Sequence, residues 1–251
     1  MKTILLFLSF FLPAFAMAQS GLQAGVFPWK GGQAQMVDGS TRDLSSFRVH
    51  TSTLQPGKTN HPLTAYNDKE EMVIVKEGLL TVLINDSSRQ LGPGGLAMIV
   101  AGDRQSFRND AGTPAVYYVL ALQSNNPVSI ERGRQGGGTF IKDWKDFIVK
   151  KTDKGESRPV FDQPSSMFER FDVHATSLNP GMSSHDPHQH RAEEFFILLK
   201  GNVQVQSGQY FYQAHAGDLV FQSSEILHGI KNTGTEQCAY LVVQWHNKKE
   251  D

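Results

Sequence analysis

What this chain lacks removes several functional classes before any motif is considered. It has 1 cysteine in 251 residues, so Cys238 has no intramolecular disulfide partner. Lying in an apolar strand pattern, that thiol reads as a buried structural group rather than a nucleophile. The formal charge is −1 at neutral pH, with lysines and arginines dispersed among acids. The basic stripe that nucleic acid requires is missing. No segment after the amino terminus approaches the roughly 18 consecutive apolar residues of a membrane-spanning helix. A sustained helical period is also missing, so helix should be scarce. The triplet Gly136-Gly137-Gly138 lacks the GxxxxGK[ST] pattern and following helix of a phosphate-cradling loop. Histidine is scarce in the first half, since seven of the nine lie at or beyond position 174.

The amino terminus reads as an export signal. Lys2 supplies a positive start, Ile4 to Phe15 an apolar stretch too short to span a bilayer, and Ala14-Phe15-Ala16-Met17-Ala18 a small-residue site, with cleavage expected after Ala18. No cysteine stands directly after that point to take a lipid anchor. The expectation is an exported, soluble protein, periplasmic or extracellular.

The chemistry concentrates in His188-Gln-His190-Arg-Ala-Glu-Glu194. Glu194-Phe-Phe-Ile-Leu-Leu-Lys200 is short, apolar and closed by Gly201, as a strand should be. Residues two apart on strands and flanking turns point the same way. His188 and His190 can then share an interior, Glu194 can enter it from the following strand, and His228 can arrive from another. Three imidazoles and a carboxylate suit one divalent transition metal. The carboxylate favours Mn or Fe, with Zn, Ni or Cu also accommodated. The plainer alternative is a histidine pair on a polar surface loop. His185, His174 and Arg170 are further candidates for contact with a substrate, and His185 reads equally well as a loop residue. The strand period sends Glu193 outward, to solvent. Tyr210, Tyr212 and Trp245 read as core.

The chain also contains one unit twice. Phe47-Arg-Val-His-Thr-Ser-Thr-Leu-Gln-Pro-Gly57 aligns with Phe171-Asp-Val-His-Ala-Thr-Ser-Leu-Asn-Pro-Gly181 at an offset of 124. After a one-residue shift Glu71 meets Glu194, Gly78 meets Gly201, Gly94 meets Gly217 and Asn109 meets Asn232. At the positions of His188, His190 and His228 the first unit carries Ala65, Asn67 and Gln105. One metal per chain, in the second unit, is therefore expected; a non-standard site from His61, Glu71 and Gln105 is the weaker alternative.

These spacings resemble the two signature motifs of the cupin superfamily. The first runs from Gly181 through His188, His190 and Glu194 to Gly201, one residue longer than usual before the first histidine. The second runs from Gly217 through His228 to Asn232, with Ser223-Ser224-Glu225 replacing the usual Pro-x-Gly. The resemblance implies an all-β fold of two tandem cupin barrels (double-stranded β-helices, or jelly rolls) after the signal peptide. It also implies metal bound by His188, His190, Glu194 and His228. The organisation is then a signal peptide at 1–18, an N-terminal cupin domain without metal ligands at 19–123, a linker at 124–140 and a metal-binding C-terminal cupin domain at 141–251. The composition of the linker suggests a loose, mobile segment.

A bicupin of this kind points to a metal-dependent enzyme acting on a small organic molecule by oxygenase, isomerase or C–N hydrolase chemistry. The plan is similar to the ureidoglycine aminohydrolases, although their ligand set of a glutamate, two histidines and a glutamine differs from the one here. The catalytic residues are not readable. A non-catalytic barrel that captures a sugar acid or similar ligand is the alternative reading, and a storage protein the third. The resemblance is compatible with a homodimer.

Overall fold

A computed structural model of the protein describes residues 21–248. The expected signal peptide lies outside them. The architecture is two β-barrels packed face to face. The first is built from a six-stranded sheet in the order Phe140–Lys142, Leu96–Ile99, Glu70–Glu77, Ala115–Ser124, Leu44–Leu54, Ala34–Gly39, closed by a four-stranded sheet. The second has a seven-stranded sheet in the order Gly25–Phe27, Leu219–Gln222, Glu193–Lys200, Cys238–His246, Arg170–Leu178, Gly155–Gln163, Lys150–Thr152. Across from it lies the three-stranded sheet Tyr210–His215, Asn202–Ser207, His228–Asn232. No helix among the described residues is long and apolar enough to cross a membrane.

The central strands are apolar on both faces because both faces are covered. Val73 and Val75 point into the first barrel with Val82 and Phe107. Met72 and Ile74 on the same strand point the other way, into a core shared by the two barrels. Phe196 and Leu198 likewise fill the second barrel, while Phe195 and Ile197 enter the shared core. There Phe47 of the first barrel meets Phe195 edge-on at 5.0 Å between ring centroids and Trp245 at 5.5 Å. Burial of rings from both barrels in one layer is the dominant attraction holding them together.

This layer decides the fate of Glu193, which is not at the surface. It shares the parity of Phe195 and Ile197, so "outward" from its own barrel means toward the other, and only 1% of it is exposed. Its carboxylate accepts from Trp245 Nε1 (3.0 Å), Thr41 Oγ1 (2.5 Å), Arg42 N (3.1 Å) and Asp43 N (3.3 Å). Glu70, its counterpart in the repeat, reaches across in the opposite sense to Ser165 Oγ (2.8 Å) and Ser166 N (2.5 Å). Burial pushes the Glu70 carboxyl up to about 7, against those hydrogen bonds. Each barrel thus uses a buried glutamate to hold the loop that leads into the other's long strand.

The lead-in segments are exchanged as well. Gly25–Phe27 adds a strand to the second barrel beside Leu219–Phe221, and Phe140–Lys142 adds one to the first beside Leu96–Met98. Trp29 and Trp144 then lie over Gly217 and Gly94, where an added Cβ would come within 2.9 and 2.8 Å of the indoles. The repeat persists down to single bonds. Asn109 Nδ2 donates to Leu54 O and Thr113 O, and Asn232 Nδ2 donates to Leu178 O and Glu236 O.

The glycine-rich connection is not loose. It contains the helix Ile130–Gln135, capped by the Ser129 hydroxyl. Arg132 ties that helix to the carbonyls of Ser165 (2.8 Å) and Ser166 (3.1 Å). A Cβ on Gly133 or Gly136 would fall within 2.1 Å of Ser166 Oγ or 1.9 Å of Pro164 O, so these glycines serve close packing. Tyr210 also departs from expectation: it lies 60% exposed on an edge strand, as does Phe211, while Trp245 is fully buried. Cys238 is buried and free.

Candidate metal centre

Three histidines converge inside the second barrel. His188 and His228 face each other as an antiparallel bridge, with N–O distances of 3.0 and 2.8 Å. His190, two residues on, returns to the same side. The ring centroids are separated by 5.0 Å (His188–His190), 4.6 Å (His188–His228) and 4.8 Å (His190–His228). One ring nitrogen from each lies within 4.8 Å of the others, the arrangement a metal ion could bridge. Glu194 joins them because it has the inward parity of Phe196 and Leu198.

Two of the rings are oriented by backbone. His190 Nδ1 is 2.9 Å from Ala192 O and His228 Nδ1 is 2.8 Å from Ile226 O. Those carbonyls need a proton on Nδ1, which leaves the lone pair on Nε2. Both Nε2 atoms then face Glu194, at 3.0 Å from Oε1 and 3.4 Å from Oε2. Lone pairs so close to a buried carboxylate repel unless a cation lies between or a proton is added. His188 Nδ1 and His228 Nε2 are buried without a hydrogen-bond partner, which is a cost a metal would remove. The donor set therefore fits a divalent ion.

The acid–base properties follow from the same contacts. Burial works to raise the Glu194 carboxyl, but the adjacent His190 and His228 rings, which favour its charged form whenever they take up a proton, outweigh it and hold the group well below the ordinary carboxylate range. His188 is lowered by burial and by the neighbouring imidazoles. His190 is raised by its bond to Glu194, against burial. A cluster so poised favours neutral imidazole at His188 and a charged carboxylate beside it, the forms in which these groups ligate metals.

Gln244 belongs to the site and was not anticipated. It pairs with Glu194 across the sheet, donates to Glu194 Oε1 at 2.7 Å, and accepts from His246 Nε2 at 3.1 Å. Its only sequence signal is inward parity with Tyr240 and Val242, which cannot be used before the register of two distant strands is known.

The cluster opens on a cavity of about 270 Å³ whose wall includes Glu194, His228, His174, His185, Lys154 and Tyr240. The ring of His185 stands 4.1 Å from that of His188. His174 is held by Asp172 at 3.0 Å. Arg170 is a correction: its guanidinium does not reach the cavity but is bound by Asp162 (2.6 and 3.1 Å) and Asp172 (3.3 Å). As alternate residues of one strand side, Arg170 and His174 share a face, yet the salt bridge holds the arginine near the strand's start.

In place of Pro-x-Gly, Ser223-Ser224-Glu225 makes the turn before His228 with Glu225 at φ 61°. A residue with a Cβ is strained there. Glu225 N also donates to His190 O at 2.8 Å, so the turn braces a candidate ligand. Glu225→Gly should keep that bond and stabilise the protein by roughly 0.5–1 kcal/mol. A thermal midpoint that falls on substitution would refute the strain.

In the first barrel the corresponding place holds no such group. The Glu71 carboxylate is bonded by Lys69 and by the amide of Gln105. His61 is turned to the carbonyl of Pro62 at 2.7 Å, with its ring tilted against that of Phe107 at 6.0 Å. The alternative site from His61, Glu71 and Gln105 is not assembled.

Residues 175–244 match the family model of the cupin domain. No curated protein is similar to the chain in sequence at a significant level. Solved structures resemble it over most of its length. A protein described as a putative glyoxylate-induced protein from Pseudomonas aeruginosa is 17% identical, with a TM-score of 0.69 and 93% of each chain covered. AerE from Microcystis aeruginosa is 15% identical, with a TM-score of 0.64 and coverage of 87% of this chain and 98% of that one. An oxalate decarboxylase from Lactobacillus farciminis, in complex with formate, is 14% identical, with a TM-score of 0.64 and coverage of 90% and 84%. The molecule is thus built as two cupin barrels, of which the second carries a three-histidine cluster suited to metal.

Proposed function

We propose that the second barrel binds one divalent transition metal through His188, His190, His228 and Glu194, and that the protein is a metal-dependent enzyme acting on a small organic molecule. The convergence of three imidazoles on a carboxylate, with two ring nitrogens otherwise unpaired, carries this reading. The carboxylate favours Mn or Fe. A bound metal would supply Lewis acidity toward an anionic or carbonyl oxygen, or activate water or oxygen. The protein's own groups do the rest. Gln244 holds Glu194 in place, the carbonyls of Ala192 and Ile226 fix two rings, and Lys154, His174 and His185 present polar groups to whatever enters. Phe196 and Val242 add apolar surface to the wall of the same cavity. The signal-like first residues support export to a periplasmic or extracellular compartment.

Elemental analysis of the purified protein, followed by a substrate screen on metal-loaded chains, tests the proposal. It expects one equivalent of metal per chain and turnover that a chelator abolishes. Two tightly held equivalents, or none, would overturn the metal assignment. Saturable ligand binding without turnover would make the protein a capture module.

Metal retention should also depend on pH. Protons compete for imidazole, so occupancy should fall as pH drops through about 6.5 and below. Retention at equilibrium that stays unchanged down to about pH 4 would argue against histidine ligation.

A further inference from the structure

The first barrel has a cavity of its own, about 330 Å³, lined by Arg48, His50, Tyr66, Asp68, Lys69 and Glu71 among others. Through the repeat it overlaps the cavity of the second barrel at two wall positions, His50 with His174 and Glu71 with Glu194, and otherwise lies toward the strand starts that carry Arg48 and, in the second barrel, Asp172. Comparing the two positions shows a change of charge. Asp172 of the second barrel, paired with Arg170 and hydrogen-bonded to His174, is replaced by Arg48. Ala192 is replaced by Lys69. Where the second barrel gathers three imidazoles around its glutamate, the first brings a side-chain ammonium.

The two cations differ in how they are used. Lys69 lies 3.6 Å above the ring of Tyr66 and is paired with Glu71, so its charge is largely spent. Arg48 makes no ion pair among the described residues; only its Nε is engaged, with Ser46 Oγ at 3.2 Å. Asp68 is exposed and accepts from Gln123 Nε2 at 2.9 Å, without meeting Arg48. His50 is pushed down by burial, which keeps it neutral.

We infer that the first barrel is a metal-independent binding site for a small monocarboxylate, held by the Arg48 guanidinium. A guanidinium fork matches a carboxylate in plane and in charge. The guanidinium, outside any ion pair, offers one fork to a single carboxylate, and Asp68 at the cavity, likewise outside any ion pair among the described residues, opposes a second negative charge. Lys69, Tyr66 and His50 supply the remaining wall and position the carboxylate rather than carry it.

Calorimetric titration of the full-length protein with acetate and glycolate, and with acetamide as the neutral control, tests this. With a chelator present, one equivalent of each carboxylate should bind with an affinity that weakens as salt is added, and acetamide should not bind. Arg48→Met should weaken binding at least about tenfold, the cost of one charged hydrogen-bonded contact; Arg48→Lys should weaken it less. Arg48 is exposed, so both variants should keep the wild-type thermal midpoint. His228→Ala should leave this binding unchanged, which separates the first barrel from the metal centre whatever becomes of the metal assignment. Absence of saturable binding, equal binding by Arg48→Met, or loss of binding in His228→Ala would each overturn the inference.

Discussion

His228→Ala is expected to remove nearly all metal from the protein while leaving it folded. The side chain is 3% exposed and contributes one of three imidazoles, so the remaining groups are two histidines and Glu194. Altering a group that merely orients a metal ligand costs about 10–100-fold in affinity, and deleting a ligand should cost more. The strand that carries His228 is held by its ladder to Asn202–Ser207, which the substitution does not touch. Metal content per chain, measured beside circular dichroism, checks both halves. A bound metal also raises the thermal midpoint by stabilising only the native state. That rise should be present in the wild type and missing from the variant. Gln105→Ala, at the same position of the first barrel, should leave metal content as it is. Equal metal in His228→Ala and the wild type would take the ion out of this cluster altogether.

Glu193→Ala is expected to produce the largest loss of stability among polar substitutions. Removing the carboxylate strands the buried Trp245 Nε1, deprives the Arg42 N–H of its acceptor and leaves the Asp43 N–H with the Thr41 hydroxyl alone. Each buried donor left unpaired costs about 1–3 kcal/mol. Loss of one partner from a buried charged network costs about 3–5 kcal/mol. We expect a change in that range, with the barrels separating more readily from one another than either opens. Denaturant melts of Glu193→Ala and Glu193→Gln distinguish the sources. The amide keeps one acceptor oxygen and should recover part of the loss. A change below about 1 kcal/mol for Glu193→Ala would mean that water replaces the carboxylate and that the interface is looser than its packing implies.

The residues that determine these two outcomes were not equally legible. The histidine cluster could be read from spacing, because His188, His190 and Glu194 lie on one short stretch whose period places them on one side. His228 followed from the second motif. The duplicated unit was legible too, since Asn109 and Asn232, or Gly94 and Gly217, perform matching local tasks that demand the same residue type. Strand parity even separated Glu193 from Glu194 correctly.

Parity says which side of a strand a residue takes, not what lies on that side. Whether Glu193 meets water or a second barrel depends on the packing of two sheets distant in the chain. For the same reason Gln244 became visible only once the register between Glu193–Lys200 and Cys238–His246 was known. The exchange of Gly25–Phe27 and Phe140–Lys142 between barrels, the packed glycines at Gly133 and Gly136, and the escape of Arg170 into a salt bridge with Asp162 are likewise contacts across long separations. Local chemistry and repetition are written in residue identity and spacing, so this chain's sequence alone determined its barrels and its candidate ligands. What those barrels bury between them, and which charges remain unspent, the tertiary structure decided, because burial and pairing are properties of surfaces that exist only after folding.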